Sequence, residues 1–442
     1  MLSVIGQLPR KNQKHSEVRD WSLTGRGLLV SLAIVVSGMS AAEARQAIPL
    51  TLAEAERVAL ELEPGQAALL ARAAALEEES VVAGQLPDPT MRIGMANFPL
   101  ESGGFSTEAM TQLQLGFRQS FPPGETREVS TRRFQSLALE MKESADGRSR
   151  DVLAAVRQAW LETYYWQQAH AIVDRSRPFF SDLVTVTRDM YSVGRKDQQD
   201  VLRAELELSR IDDRRISFNN NHARAIAALS QWLDSAASRP IAEKLPAWQQ
   251  IPPLELLHGN LLDHPDVRAA DARIAARQAG VDLAEEQFKP GWAMDLGYGH
   301  RDGTLANGAP RSDFVSLSVT MDMPFFKKNR QDRKLAAALR ERSAVTASKE
   351  ELLRRLRSRL DGEYAQWNEL SRRIDLYEEQ ILKQAGDNAE ASLVAYQSDT
   401  ADFADVMRAY IDDLNSKVDH TRLQVERAKS YAILANLGGI SE

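Results

Sequence analysis

The chain has 442 residues, 43% of them hydrophobic, a formal net charge of −7 and a sequence pI near 5.7. The acidic balance disfavours nucleic acid as the main partner. The absence of cysteine removes disulfides, thiolate metal sites, cysteine nucleophiles and a lipid-attachment cysteine together.

Residues 1–44 read as an export signal. Arg10, Lys11, Lys14, Arg19 and Arg26 form a basic region, Gly27 to Gly38 an apolar run, and Ala42-Glu43-Ala44 an A-x-A site, which predicts cleavage after Ala44. A retained membrane anchor over 27–42 is the alternative, but the run is short of the ~20 residues a spanning helix needs. No later segment reaches that length, so any crossing after export must use strands.

The rest says nearly the same thing twice, at an offset that drifts from 201 to 205. Pro64 falls on Pro265, Ala71-Arg72 on Ala272-Arg273, and Gln85-Leu86 on Gln287-Phe288. Phe121-Pro122 falls on Met323-Pro324, Tyr191 on Tyr396, Asp200-Val201 on Asp405-Val406, and Leu229 on Leu434. A duplication this long, with no short period, predicts one pseudo-symmetric unit rather than a solenoid. The first repeat is 45–238 and the second 254–442. Residues 239–253, with four prolines, join them.

Each repeat opens with a predicted helix, 50–85 or 254–288, and continues into a β-hairpin, about 89–121 or 292–325. Met91, Ile93 and Met95 alternate in the first strand, and Leu113, Leu115 and Phe117 in the second. Trp292, Met294, Leu296 and Tyr298 alternate in the third, and Val315, Leu317, Val319, Met321 and Met323 in the fourth. Period two with one apolar face is the strand signal. The connecting loops, 99–107 and 302–312, are rich in turn residues. Strands of about ten residues suit a tilted crossing of a bilayer, with Leu113, Leu115, Phe117, Val315, Leu317 and Val319 facing lipid. A soluble sheet covering a core has the same pattern; the export signal favours the membrane. Four strands cannot close a barrel, and open edges are not tolerated in lipid. Three copies, giving twelve strands, are the smallest symmetric solution with a plausible pore.

The runs 125–238 and 327–437 read almost entirely as helix. Leu353, Leu356, Leu360, Tyr364, Trp367, Leu370, Ile374, Tyr377 and Ile381 recur at a mean spacing of 3.5 residues, the coiled-coil value. Val152, Val156, Trp160 and Tyr164 begin a matching stripe. Breaks are expected at Ser192-Val193-Gly194 and at Gln397-Ser398-Asp399, with a kink at Pro178. A soluble periplasmic adaptor or scaffold with coiled-coil hairpins is the competing reading of such helices.

On these residues the chain resembles the TolC family of outer-membrane efflux proteins, over about 50–438. Glu63-Pro64 and His264-Pro265 are similar to the family's repeat starts. Tyr191-Ser192-Val193-Gly194 with Asp200-Val201-Leu202-Arg203-Ala204 is similar to its helix-tip motif, and Tyr396 through Asp405-Val406-Met407 is the sister tip. Ala227-Ala228-Leu229 and Ile433 to Gly438 are similar to its repeat ends. The resemblance implies a mainly α fold with a small β part. It would be a duplicated unit that trimerises into a twelve-stranded outer-membrane β-barrel, continued by a long periplasmic α-helical barrel. It further implies passive export, with no catalysis and no cofactor, coupled to an inner-membrane RND-type pump through a periplasmic adaptor (membrane fusion) protein. Within the family, the stretch 97–124 is similar to the heavy-metal branch, which implies metal cations or small toxic compounds as cargo.

The resemblance also assigns residues. An Asp of the second tip lines the family's periplasmic constriction; Asp405 matches it, and Asp200 is its first-repeat counterpart. Three copies of an Asp around an axis make a cation-attracting ring. The chain departs from the pattern at Arg408, where a second Asp is expected, and at Asp399, where a Gly is expected. Val193, Gly194, Arg195, Ser398 and Thr400 become candidate adaptor contacts. The seven histidines are scattered, and Met91, Met95, Met294, Met321 and Met323 read as strand-face packing rather than metal ligation. No G-x-S-x-G, H-E-x-x-H or P-loop pattern occurs.

Overall fold

The computed structural model describes residues 49–440. The predicted export signal and its cleavage site lie outside them. The first repeat runs α1 (Leu52–Leu62), α2 (Pro64–Ala83), β1 (Thr90–Ala96), β2 (Gln112–Phe121), α3 (Thr126–Ser192) and α4 (Gln198–Leu233). The second runs α5 (Leu254–Asn260), α6 (Pro265–Glu286), β3 (Trp292–His300), β4 (Phe314–Met321), α7 (Gln331–Leu376), α8 (Leu382–Gln397) and α9 (Phe403–Gly438). The same order of helices and strands therefore appears twice.

The opening helix of each repeat, predicted as one piece, is two. The cause is proline. Pro64 forces Glu63 into extended backbone (φ −78°, ψ 109°) and ends α1. It then occupies the first turn of α2, where its missing N–H costs nothing. The Glu63 carboxylate accepts from the Gly65 N–H at 2.9 Å and pairs with Arg148 at 3.1 Å. His264-Pro265 repeats the device: the His264 ring Nδ1 accepts from the Asp266 N–H at 3.2 Å. Among the other expected features, α3 runs unbroken through Pro178. At ~1.5 Å per residue its 67 residues span about 100 Å. The second long run begins at Gln331 rather than 327, and a π-helical turn, Tyr377–Ile381, separates α7 from α8.

The four strands form one antiparallel sheet in the order β1-β2-β3-β4. The register carries two apolar rows across all of it. Met91 lies opposite Phe117, Phe117 opposite Leu296, and Leu296 opposite Leu317. The next row is Ile93, Leu115, Tyr298 and Val315. Between these rows, on the other face, Arg92, Gly116, Gly297 and Ser316 form one line, and Thr90, Arg118, Asp295 and Ser318 another. Met323 lies beyond the end of β4.

The core sits midway along the long helices. Trp160, Leu161, Val156 and Phe180 of α3 pack with Leu52 and Ala55 of α1, Leu229 and Leu233 of α4, and Val418 and Val425 of α9. A second cluster joins Leu257, Leu261, Leu356, Leu360, Trp367, Tyr431 and Leu434. The proline-rich segment 239–253 ties the two together. Ile241 makes a parallel bridge with Leu50, and the Gln167 amide brackets Ile241, donating to its carbonyl at 3.1 Å and accepting from its N–H at 3.2 Å. Further along, Trp248 stacks on Tyr431 at 4.6 Å.

Candidate functional site

Two regions of this frame carry the residues singled out by sequence: the faces of the sheet and the far ends of the long helices. On the sheet, Leu113, Leu115, Phe117, Val315, Leu317 and Val319 are all exposed, between 44% and 75%. No core forms on this face among the described residues. The opposite face is polar and glycine-rich, with Arg118 and Asp295 in a loose 3.8 Å pair. Arg92 has no ion-pair partner among the described residues. β1 and β4 are the edges of the sheet, each paired on one side.

At the helix ends, both tips use the same stop. Gly194 takes φ +72° and Asp399 φ +62°. The Gly194 N–H donates to the Tyr191 carbonyl and the Arg195 N–H to that of Met190, each at 2.9 Å. In the second tip, the Asp399 N–H donates to Tyr396 at 3.1 Å and the Thr400 N–H to Ala395 at 2.9 Å. These are paired Schellman closures. Asp is one of the few side chains that visits the left-handed region at modest cost, so Asp399 replaces the glycine without changing the turn. After each closure an Asp caps the next helix and a second Asp lies in its first turn: the Asp200 N–H donates to the carbonyl of the N-cap Asp197, and the Asp405 N–H to that of the N-cap Asp402, each at 3.1 Å.

The substitution at 399 adds a contact the first tip lacks. Lys196 pairs with the Asp399 carboxylate at 2.5 Å and lies 4.8 Å from the centroid of the Tyr396 ring. The pair ties the two tips of one chain side by side. Tyr396 is fully buried against Phe403, and its hydroxyl has no hydrogen-bond partner among the described residues. Burial, with Asp200 and Asp399 nearby, pushes that hydroxyl up to about 12. Asp405 is exposed and pairs with Arg408 at 3.2 Å, so part of its field is neutralised within the chain. Val193, Gly194, Arg195, Ser398 and Thr400 are all exposed at the surface of the tips.

Lys196 and Tyr396 are the tip residues whose roles sequence reasoning missed. The duplication itself hides Lys196, because the offset of 205 sets it opposite Ala401. The available signal was the change of Gly to Asp at the equivalent of position 194, since a buried or turn-bound carboxylate calls for a cation nearby.

Two of the tip carboxylates, Asp200 and Asp399, titrate in opposite senses. Burial raises the Asp200 carboxyl above its ordinary value, against the pull of Lys196 and Arg203. The hydrogen bond from Lys196 lowers that of Asp399. For Asp200 the charged form is the disfavoured one in the folded tip. Its cost is absent below the unfolded value and grows as pH rises through the raised folded value. For Asp399 the stabilisation is present above the unfolded value and is lost only as pH falls through the lowered one. Asp200→Asn should therefore slow amide exchange at the tips severalfold at neutral pH, with the difference from wild type disappearing at acid pH. Unchanged exchange at both pH values would show that Asp200 carries no burial cost.

Comparison with known proteins places this arrangement. Residues 256–439 match the family model described as outer membrane efflux protein. Protein CyaE of Bordetella pertussis is 30% identical over 186 residues, 40% of this chain. The alignment spans 38% of that protein's own length. The fold is similar to that of the outer-membrane channel OprN, with a TM-score of 0.74 and 17% identity over 88% of this chain and 90% of that one. It is similar to the outer membrane protein VceC of Vibrio cholerae, with a TM-score of 0.73 and 17% identity over 88% and 96%. CusC gives a TM-score of 0.74 and 13% identity over 88% and 93%. At such identities the structures establish a shared fold.

Proposed function

We infer that this chain is a member of the TolC family of outer-membrane efflux proteins and the exit duct of a tripartite export system rather than an enzyme; the family-model match over 256–439 and the shared fold support the reading. It works as a homotrimer in the outer membrane, with its long helices in the periplasm. The observation that carries this reading is the sheet: four strands, one mainly apolar exposed face interrupted by Gln119 and His300, one polar face and two edges that no strand among the described residues covers. In lipid such edges must be paired, and pairing β4 of one copy with β1 of the next closes twelve strands around the polar face. The ring size suits a lumen wider than the side-chain-filled interior of an eight-stranded barrel.

The helix tips form the periplasmic aperture. Asp405, exposed in the first turn of α9, faces the axis with Asp200 behind it, and Lys196–Asp399 holds each pair of tips together. Val193, Gly194, Arg195, Ser398 and Thr400 present the surface on which a periplasmic adaptor docks, and an inner-membrane RND-type pump delivers the cargo. Metal cations or small toxic compounds are the cargo class, the cationic option being supported by the carboxylate ring.

Planar-bilayer recording of the purified protein tests this. The expected result is a conducting trimer with cation preference. Asp405→Ala leaves three Arg408 side chains uncompensated, so it should lower the cation-to-anion permeability ratio severalfold, while Arg408→Ala should raise it. A monomer that needs no detergent and opens no conductance would overturn the duct. Equal selectivity in wild type and both variants would remove these residues from the aperture.

A further inference from the structure

Within the strands, the polar face of the sheet carries three charged side chains, Arg92, Arg118 and Asp295. Arg118 and Asp295 pair with each other, which leaves Arg92. Asp322 continues the polar side of β4, after Ser316, Ser318 and Thr320, one step past the strand. Its N–H donates to the Gly291 carbonyl at 2.8 Å, so the β3–β4 ladder still holds it. Neither Arg92 nor Asp322 has an ion-pair partner among the described residues. The two stand on opposite free edges, Arg92 on β1 and Asp322 at the end of β4.

Within one sheet they are far apart. The row through Arg92 crosses Gly116 and Gly297 and reaches β4 at Ser316, six residues short of Asp322. Closing a barrel removes that separation. Barrel strands tilt by about 35–45°. Over the four strand spacings of one copy, about 4.8 Å each, the same residue therefore recurs about 13–19 Å further along the strand direction, or about 4–6 residues. The direction is fixed as well. With the apolar face outward, the bond from Asp322 to Gly291 places β4 to the left of β3, viewed from outside with the helices below. The right-handed coil of the strands makes each row climb toward the left, so Arg92 of the next copy meets β4 below Ser316, on the Asp322 side. The displacement must be even, because an odd one sets polar residues against apolar ones. Four residues would set Arg92 against Thr320; six set it against Asp322 and bring the opposite charges together. The Asp322 N–H is turned toward β3, so at the free edge this residue enters the close, non-hydrogen-bonded kind of strand pair, with Cα atoms about 4.5 Å apart.

We propose that the seam between copies is set by an ion pair from Asp322 of one copy to Arg92 of the next, repeated three times around the barrel. The inference rests on the three-copy barrel described above. The pairs select one register where the polar residues at the two edges, mainly Ser, Thr and Gly, specify little by themselves. They also leave the strand-lined lumen without an unpaired charge, so charge selection falls to the helix tips.

The chain has no cysteine of its own, so disulfide trapping of the full-length protein in membranes reports the register directly. Membrane fractionation and the trimer band of the unheated wild type are checked first; their absence sinks the three-copy barrel before any register is measured. Arg92→Cys combined with Asp322→Cys should give, on mild oxidation, a covalent ladder that reaches the trimer. Arg92→Cys combined with Ser316→Cys should give roughly tenfold less, because Cα atoms more than about 7 Å apart cannot be bridged. Charge reversal supplies a second measurement without cysteine. Arg92→Asp and Asp322→Arg should each lower the temperature at which the trimer band is lost, and the two together should restore it. An assembled protein that gives no ladder through Asp322→Cys, or a stronger one through Ser316→Cys, overturns the proposal. So do single reversals that the double variant fails to rescue.

Discussion

Leu317→Arg is expected to prevent stable insertion of the trimer, whereas Ser316→Arg, one residue away, is expected to be tolerated. The two side chains point to opposite faces of β4. Leu317 ends the row Met91, Phe117, Leu296 and is 67% exposed among the described residues. Near the middle of a bilayer an arginine on the lipid face of a strand costs about 2–4 kcal/mol. A closed trimer repeats that cost three times, for a total of about 6–12 kcal/mol, comparable to the whole stability of an ordinary domain. Ser316 ends the polar row and lies opposite Gly297, which offers no side chain to collide with. A new arginine there can extend into water. Electrophoresis of unheated membrane extracts reads the outcome directly, as a lost trimer band for Leu317→Arg and a retained one for Ser316→Arg. Equal tolerance of both, or a worse result for Ser316→Arg, would mean that the apolar face does not meet lipid.

That asymmetry was legible in the sequence because a strand's two faces alternate with period two, and each strand keeps the alternation over most of its length. The repeat order was legible for a similar reason, since long helices and short hairpins leave different periodicities. What escaped was set by single residues acting against the pattern. Pro64 and Pro265 sit in runs whose composition is otherwise helical, and each cuts its helix without altering the duplication. Pro178 lies in a comparable run and cuts nothing. The π turn at Tyr377–Ile381 takes in only the last two members of the apolar stripe, so a mean spacing of 3.5 residues over the whole stripe conceals it. At the tips, the sequence located Asp200, Asp399 and Asp405 but not their partners. Lys196 meets Asp399 across a turn between two helices, 203 residues apart in the chain, and no local spacing encodes such a contact.

Trp160→Ala should be the most destabilising single truncation in the helical part. Trp160 is 1% exposed, and α1, α3, α4 and the 239–253 segment meet around it. Truncating a buried Trp costs about 3–5 kcal/mol in lost transfer energy and cavity formation. The indole N–H donates to the Leu50 carbonyl at 3.0 Å. That carbonyl also accepts from the Ala242 N–H at 3.2 Å, so losing the indole does not orphan it. Trp160→Phe keeps most of the volume and gives up mainly one hydrogen bond, for about 0.5–1.5 kcal/mol, so it should fall well short of Trp160→Ala. The consequence for function follows from where the loss lands. Leu50 and Ile241 form a backbone bridge between the start of the first repeat and the segment leading to the second, reinforced by the Arg239–Glu54 ion pair, and the Trp160 indole donates to the same Leu50 carbonyl. Hydrogen exchange should rise in α1 and in 239–253 for Trp160→Ala, while the sheet, far along the helices, keeps its protection. Thermal unfolding followed by circular dichroism gives the magnitude. If the two variants lost equal stability, the hydrogen bond rather than the packing would be holding the repeats together at this point.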